Sequence, residues 1–338
     1  MGGAADPAPS ALVTAEPGTR AAGAVVTRAP TRLDFGGGWT DVPPYCDREG
    51  GFVCNVAINR YATATLTRDA DASAGGAELT AGADAPLIRA ALRRSRAADV
   101  RISLANDFPV GAGLGGSSAA SAAVLGALAA WRGDAWDLRA IAEEGRRIEV
   151  EELGVAGGRQ DHYAATFGGA LALTFTTSVE VRRIVLSERT RGTLERRAIL
   201  VYTGESRISG DNIVEVLNAY RAREHRVLFA LARMKALAGQ MAAALEQGDV
   251  DQLGALVGEH WTHQRALHPA IPTPRIDEIV ARAAAAGALG AKAMGASGGG
   301  CVLVIAAEDT VERVRDAVAP LGTLVPFRLD FEGLTRTR

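Results

Sequence analysis

Three glycine-rich segments stand out in this 338-residue chain, because each sets small residues beside groups able to bind anions, hydroxyls or protons. The most informative is Pro109-Val-Gly-Ala-Gly-Leu-Gly-Gly-Ser-Ser-Ala-Ala120, which follows a β-type run over 101–105 and opens a helical run over 117–131. Gly111, Gly113, Gly115 and Gly116 let the backbone approach a ligand and gather several N–H groups into one hollow. The start of the helix adds its partial positive charge. An anion, phosphate above all, suits such a cradle, although a plain turn with Ser117 or Ser118 as N-cap accounts for the same residues. A Walker A loop is excluded, since Ser117 rather than Lys follows Gly116. Gly111, Gly113 and Gly116 do satisfy G-x-G-x-x-G, with Asp134 and Asp137 about 20 residues on, but Asn106-Asp-Phe-Pro109 separates loop from strand. That gap weakens a nicotinamide-dependent oxidoreductase reading.

The second segment is Arg32-Leu-Asp-Phe-Gly-Gly-Gly-Trp-Thr-Asp41, followed by Val-Pro-Pro-Tyr45. Gly36, Gly37 and Gly38 beside Asp34 and Asp41 make a loop that can wrap a polar ligand and accept hydrogen bonds from its hydroxyls. Asp41 could equally cap local N–H groups. The third segment, Gly290 to Gly300, runs into the apolar stretch Cys301-Val-Leu-Val-Ile305 and could be only a crossing point between backbones. His260 and His263 lie one helical turn apart with His268 nearby, yet two imidazoles at i, i+3 without a fixed third ligand are weak grounds for a metal site.

The elements that must position these groups follow from periodicity. Strands are expected at 25–29, 52–67, 100–105, 170–175, 179–186, 198–203, 300–306 and 323–329. Helices are expected at 117–131, 136–152, 209–222, 224–247, 250–266, 275–287 and 309–319. The segment 69–98 reads as a surface excursion with one short helix. Residues 1–24 read as a disordered tail. Strands crowd the first two hundred residues and helices the next ninety, which predicts an α+β protein of two lobes, 25–200 and 201–338.

Lys and Arg number 37 against 39 Asp and Glu, a net charge of −2, which argues against nucleic acid as the partner. No run approaches the ~18 uninterrupted apolar residues of a membrane span. Cys46, Cys54 and Cys301 are too scattered for a zinc cluster or a disulfide framework, so a reducing cytoplasm is the expected compartment.

Taken in order, the three segments resemble the motifs of the GHMP kinases, the superfamily of galactokinase, homoserine kinase and mevalonate kinase, with Gly116 as an extra residue relative to the mevalonate kinase pattern. The likeness spans 25 to about 330 and is nearest to bacterial D-glycero-D-manno-heptose 7-phosphate kinases, then to fucokinase domains. It is carried also by Gly51-Phe-Val-Cys-Asn-Val-Ala-Ile58, Gly157-Gly-Arg-Gln-Asp-His-Tyr163 and Tyr202-Thr-Gly-Glu-Ser-Arg207. Trp39 leans toward the fucokinase pattern, and the Gly-Arg-Gln-Asp run toward the heptose one. The resemblance implies a ribosomal-S5-like α/β lobe holding ATP and a ferredoxin-like α+β lobe.

It also implies roles. Gly111, Ala112, Gly113, Leu114, Gly115, Gly116, Ser117 and Ser118 would cradle ATP. Ser118 and Glu149 would hold Mg²⁺, with Glu151 and Glu152 as rivals of Glu149 and Ser117 as rival of Ser118. Asp161 would be the catalytic carboxylate, its alternative a helix N-cap, with Arg32 beside it keeping it ionised. Gly37, Gly38, Trp39, Thr40, Asp41, Gln160 and Gly298 would meet the acceptor. Arg159, Arg207 and Lys292 are candidates for a phosphate carried by it. The implied reaction is ATP- and Mg²⁺-dependent phosphorylation of a sugar or sugar phosphate, at the anomeric C1 hydroxyl of D-glycero-D-manno-heptose 7-phosphate. L-fucose or another free hexose is the alternative. The implied partners are small molecules only, with no nucleic acid or membrane, in a monomer or homodimer. A non-catalytic ligand sensor on the same fold is the competing class.

Overall fold

The computed structural model describes residues 23–68, 85–97, 100–205 and 210–337. The expected tail therefore lies almost wholly outside the described residues, as do most of the 69–98 excursion and Arg207.

The first sheet is built on two long antiparallel strands, β1 (Val25–Gly36) and β2 (Gly51–Arg68). β2 pairs through its first half with β4 (Ala170–Phe175) and through its second half with β3 (Val100–Asn106). β5 (Val179–Ile184) extends one edge and β10 (Thr335–Thr337) the other, against β1. The second sheet has the order β7 (Ala288–Ala293), β8 (Cys301–Ala306), β6 (Ala198–Tyr202) and β9 (Thr323–Leu324). β6 thus belongs with the later strands, while the last strand returns to the first sheet.

Helices cover these sheets where the sequence supplies apolar or small faces. α1 (Tyr45–Glu49) is a short turn after the second glycine segment. α2 (Ala85–Ser95) and the Ala/Ser-rich α3 (Gly116–Arg132) pack on β1 to β3 around Leu66, Ile88, Ile102 and Leu128. The small side chains of α3 let it lie close: a Cβ on Gly126 would come 2.9 Å from Leu334 Cδ1. α4 (Leu138–Arg147) is capped by Asp137 and passes into a π-helical turn, Ile148–Glu152. α5 (Gln160–Phe167) and α6 (Glu188–Arg197) precede β4 and β6. α7 (Gly210–Arg221), α8 (His225–Gln247), α9 (Val250–Ala266), α10 (Pro274–Ala285) and α11 (Val311–Val318) complete the chain.

One apolar cluster lies between the two sheets. Leu33, Phe35 and Val56 of the first meet Leu200, Leu303 and Ile305 of the second, together with Leu237 and Met241 of α8. α8 is long and apolar enough to cross a membrane by composition, but its apolar residues serve two core clusters, Val227, Leu231 and Met234 facing the second sheet.

Three differences from expectation concern the site. β1 continues to Gly36 instead of stopping at 29, so Arg32 and Asp34 stand on a strand with a bulge between Asp34 and Gly36. The segment 290–300 begins as strand β7. The strand expected at 323–329 is only two residues long.

Candidate active site

The phosphate-type loop does adopt a conformation that glycine makes possible. Gly111, Gly113 and Gly115 have φ of 72°, 74° and 75°, and Gly115 is the N-cap of α3. Residues 111–118 form one wall of a cavity of about 270 Å³, with Asn106, Phe108 and Val110 near its mouth. The third glycine segment braces the loop from behind. The N–H of Cys301 donates to Ala112 O at 2.8 Å, and a Cβ on Gly300 would fall 2.8 Å from that same oxygen.

Arg32, 2% exposed on β1, sends Nε to Asp161 Oδ1 (2.8 Å) and Nη2 to Oδ2 (2.9 Å), a forked pair. Its Nη1 also donates to Gly113 O at 2.6 Å, so one guanidinium ties the carboxylate to the loop. Asp161 sits in the first turn of α5 with its carboxylate turned to Arg32, which replaces the N-cap alternative. The cap of that helix comes from far along the chain: Asp41 Oδ2 accepts the N–H groups of Arg159 (2.8 Å) and Gln160 (3.0 Å). Burial pushes the Asp41 carboxyl up to about 6, even though the Gln160 N–H pulls it down; Asp161 and Asp34 add like charge.

The π-helical turn separates three neighbouring glutamates. Glu151 turns to Arg94 (3.4 Å) and Glu152 to Arg93 (2.8 Å), both away from the cavities. Glu149 turns inward, its Oε2 2.9 Å from His162 Nε2, and Ser118 Oγ lies 3.3 Å from the same nitrogen. Ser117 is exposed while Ser118 is buried, so the geometry singles out Ser118 and Glu149 as a pair of hard oxygen donors on one imidazole. They suit Mg²⁺ by chemistry, with water and phosphate oxygens able to fill its octahedron. His162 is a site residue that sequence reasoning missed. Nothing in its spacing marks it, because it follows Asp161 on α5 and points elsewhere.

A second cavity, of about 110 Å³, lies on the other side of Asp161. Gly38, Trp39, Asp41 and Gln160 line it, as does Asp34, while Ala156 and Ile213 give it apolar wall. The indole Nε1 of Trp39 is buried without a partner. Ser118, Glu149 and Asp161 line both cavities and so mark the seam between them.

Several expected acceptor contacts lie elsewhere. The Thr40 hydroxyl is used within the turn, donating to Gly37 O at 2.7 Å, and the Gly37 N–H donates to His260 Nε2 at 3.0 Å. Gly298 donates its N–H to Ile271 O and lines neither cavity. The Arg159 side chain leans toward Glu143 (3.6 Å) instead of lining the second cavity. Lys292, fully buried, binds Asp34 through the backbone oxygen (2.7 Å) and Oδ2 (3.1 Å), so its charge is occupied beneath the site. Arg207 lies outside the described residues. His260 is buried and kept neutral, first by burial and then by Lys292, whereas His263 faces Glu259. No His, Cys, Asp and Glu cluster of metal-binding size occurs among the described residues.

Comparison with known proteins places the chain in a family. The chain matches the model of the GHMP kinases N-terminal domain over residues 85–169 and that of the GHMP kinases C-terminal domain over 241–321. The chain belongs to the GHMP kinase superfamily. This kinase is 29% identical to the D-glycero-alpha-D-manno-heptose 7-phosphate kinase of Campylobacter jejuni, over 81% of this chain and 87% of that one. It is also 29% identical to the L-fucokinase/L-fucose-1-P guanylyltransferase of Bacteroides fragilis, covering 92% of this chain but 38% of that longer protein. Among solved structures, a D-glycero-D-manno-heptose 1-phosphate kinase from Bacteroides thetaiotaomicron superposes with a TM-score of 0.72 at 26% identity, over 93% of this chain and 99% of that one. The fold is the GHMP kinase fold, and the protein is a sugar kinase of that superfamily.

Proposed function

We propose that this kinase transfers the γ-phosphate of ATP, with Mg²⁺, to the anomeric C1 hydroxyl of D-glycero-D-manno-heptose 7-phosphate. One observation carries the reading: Ser118, Glu149 and Asp161 line the glycine-loop cavity and the polar cavity alike, so a nucleotide phosphate and an acceptor hydroxyl would meet at Asp161. The heptose substrate is supported by the C. jejuni relative, whose name states it.

Asp161 orients the acceptor hydroxyl and takes its proton as the oxygen attacks the γ-phosphorus; the bond to the β-phosphate oxygen breaks and ADP leaves. Arg32 keeps that carboxylate aimed through its two hydrogen bonds. The N–H groups of residues 111–118 and the start of α3 hold the phosphates. Ser118 and Glu149 would hold Mg²⁺, which when bound offsets phosphate charge.

L-fucose or another free hexose is the second reading. It is favoured by Trp39 in the acceptor wall and by the likeness to the B. fragilis fucokinase. Release of ADP with Mg²⁺ should be measured against D-glycero-D-manno-heptose 7-phosphate, mannose 6-phosphate, L-fucose, galactose and mevalonate. Turnover confined to phosphorylated sugars is the expected result. Turnover with L-fucose alone overturns the substrate and keeps the chemistry, and silence across the panel overturns both in favour of a sensor.

A further inference from the structure

The floor of the acceptor cavity holds a carboxylate oxygen that the protein leaves without a donor. Asp34, 2% exposed, stands on β1 two residues after Arg32 and lines that cavity. Its Oδ2 and backbone oxygen share the buried Lys292 ammonium, but Oδ1 has no hydrogen-bond partner. Burial alone would raise this carboxyl; Lys292, then Arg32, hold it below the ordinary carboxylate range, so it is an anion able only to accept. A buried anionic oxygen without a donor is costly and calls for one.

The surroundings say what kind of donor fits. Gly38 separates Asp34 from Gln160: a Cβ there would come 2.4 Å from Asp34 Oδ2 and 2.9 Å from Gln160 Nε2. The missing side chain keeps a carboxylate and an amide side by side at the cavity wall. Gln160 in turn accepts from Asn55 Nδ2 at 3.4 Å, and Asn55 Oδ1 is a second buried oxygen without a partner. Neighbouring groups that accept or donate at this spacing are suited to adjacent hydroxyls on a ring, which do both.

We propose that Asp34 is a substrate-recognition residue, its Oδ1 accepting a hydrogen bond from a ring hydroxyl of the sugar other than the one phosphorylated, with Lys292 as its fixed counter-charge. Lys292 thereby acts on the sugar through Asp34, without touching it. The inference rests on the sugar-kinase reading and adds a specificity element on the strand that also carries Arg32.

The test pairs calorimetric binding of the panel sugars and their monodeoxy analogues, without nucleotide, with ADP-release kinetics, on wild type and Asp34→Asn. Wild type should bind one monodeoxy analogue about 10- to 100-fold more weakly than its parent, as expected for loss of a hydrogen bond to a charged group. Asp34→Asn should bind the parent more weakly by a similar factor and lose most of that discrimination, with KM for ATP unchanged. Discrimination against every monodeoxy analogue kept intact in Asp34→Asn overturns the proposal and leaves the kinase reading standing. Wild type that binds sugar with the predicted pattern but never turns it over overturns the kinase reading instead. Should Asp34→Asn unfold because it strands the ammonium, Asp34→Asn/Lys292→Met removes both charges and is read by the same criteria.

Discussion

Arg32 grips Asp161 through Nε and Nη2 with hydrogen bonds of 2.8 and 2.9 Å while its third nitrogen holds the carbonyl of Gly113. A single side chain thus ties the glycine loop to the Asp161 carboxylate, which lines both cavities. Asp161→Asn keeps an oxygen for Arg32 but gives up the base, so kcat should fall by about 10²- to 10⁴-fold with a small change in melting temperature. Arg32→Lys should lower both, because one ammonium cannot satisfy a forked carboxylate and a carbonyl together. Unaltered turnover in Asp161→Asn would remove the carboxylate from the mechanism.

The Asp41 carboxylate gives the protein a pH signature. Its pKa is raised to about 6 in the fold, burial being the chief cause, against an unfolded value near 3.8. A raised value means that the proton favours the folded state: the contribution is complete below about pH 4 and is lost as pH rises through about 6. Asp41→Asn can still accept the two N–H groups that open α5 and has no charge to desolvate. The variant should gain stability over wild type progressively between pH 4 and 6 and level off near ~3 kcal/mol above that. Paired melting curves across this range decide it, and a difference that does not vary with pH contradicts the assignment.

Gly113, at positive φ in the loop, and Gly116, the first residue of α3, should respond differently to alanine. At Gly113 a Cβ would come 2.7 Å from the backbone oxygen of Met294, at a φ of 74°. At Gly116 it would meet the edge of the Phe108 ring at 2.4 Å, a side chain that can turn aside. Gly113→Ala should therefore lose about 1–2 kcal/mol or more and weaken ATP binding, and Gly116→Ala should lose less. Denaturant midpoints with nucleotide titrations give the comparison, and equal losses would count against it.

His162 joins Ser118 to Glu149, so its removal should loosen both donors. His162→Phe should raise the Mg²⁺ concentration for half-maximal activity by about 10- to 100-fold. His162→Gln, with an amide able to donate to Glu149, should recover part of that. Mn²⁺ binding followed by its paramagnetic resonance signal reads the same effect without turnover, and wild-type metal affinity in His162→Phe would separate the imidazole from the metal donors.

Much of this site was legible because glycine runs and their flanking carboxylates are local patterns. The loop over 111–118 and the start of α3 follow from neighbours in the chain, whereas Glu149 was set apart from Glu151 and Glu152 only by the family resemblance. What escaped depended on residues far apart. Asp41 reads as a loop carboxylate until α5 is seen to start on it, more than a hundred residues later. Lys292 reads as a surface cation for phosphate until β7 buries it under Asp34. Three alanines and one glycine give 288–293 little strand propensity, and β7 exists through pairing with the wholly buried β8. β1 was cut short for a related reason: its second half is covered on both faces and so lacks alternation.

The apolar cluster between the sheets gives the molecule a mechanical character. Leu33 and Phe35 bracket Asp34 on the catalytic strand and share their packing with Leu303 and Ile305 of the far sheet, and α8 runs beside both like a beam. Among the described residues, the two sheets are joined through this shared cluster. Heat should melt the whole body in a single step, and trimming Leu303 to a smaller side chain should be felt as slack at Arg32 and Asp34. On the proposed mechanism, the placing of Arg32 and Asp34 would thus rest on apolar side chains packed behind them.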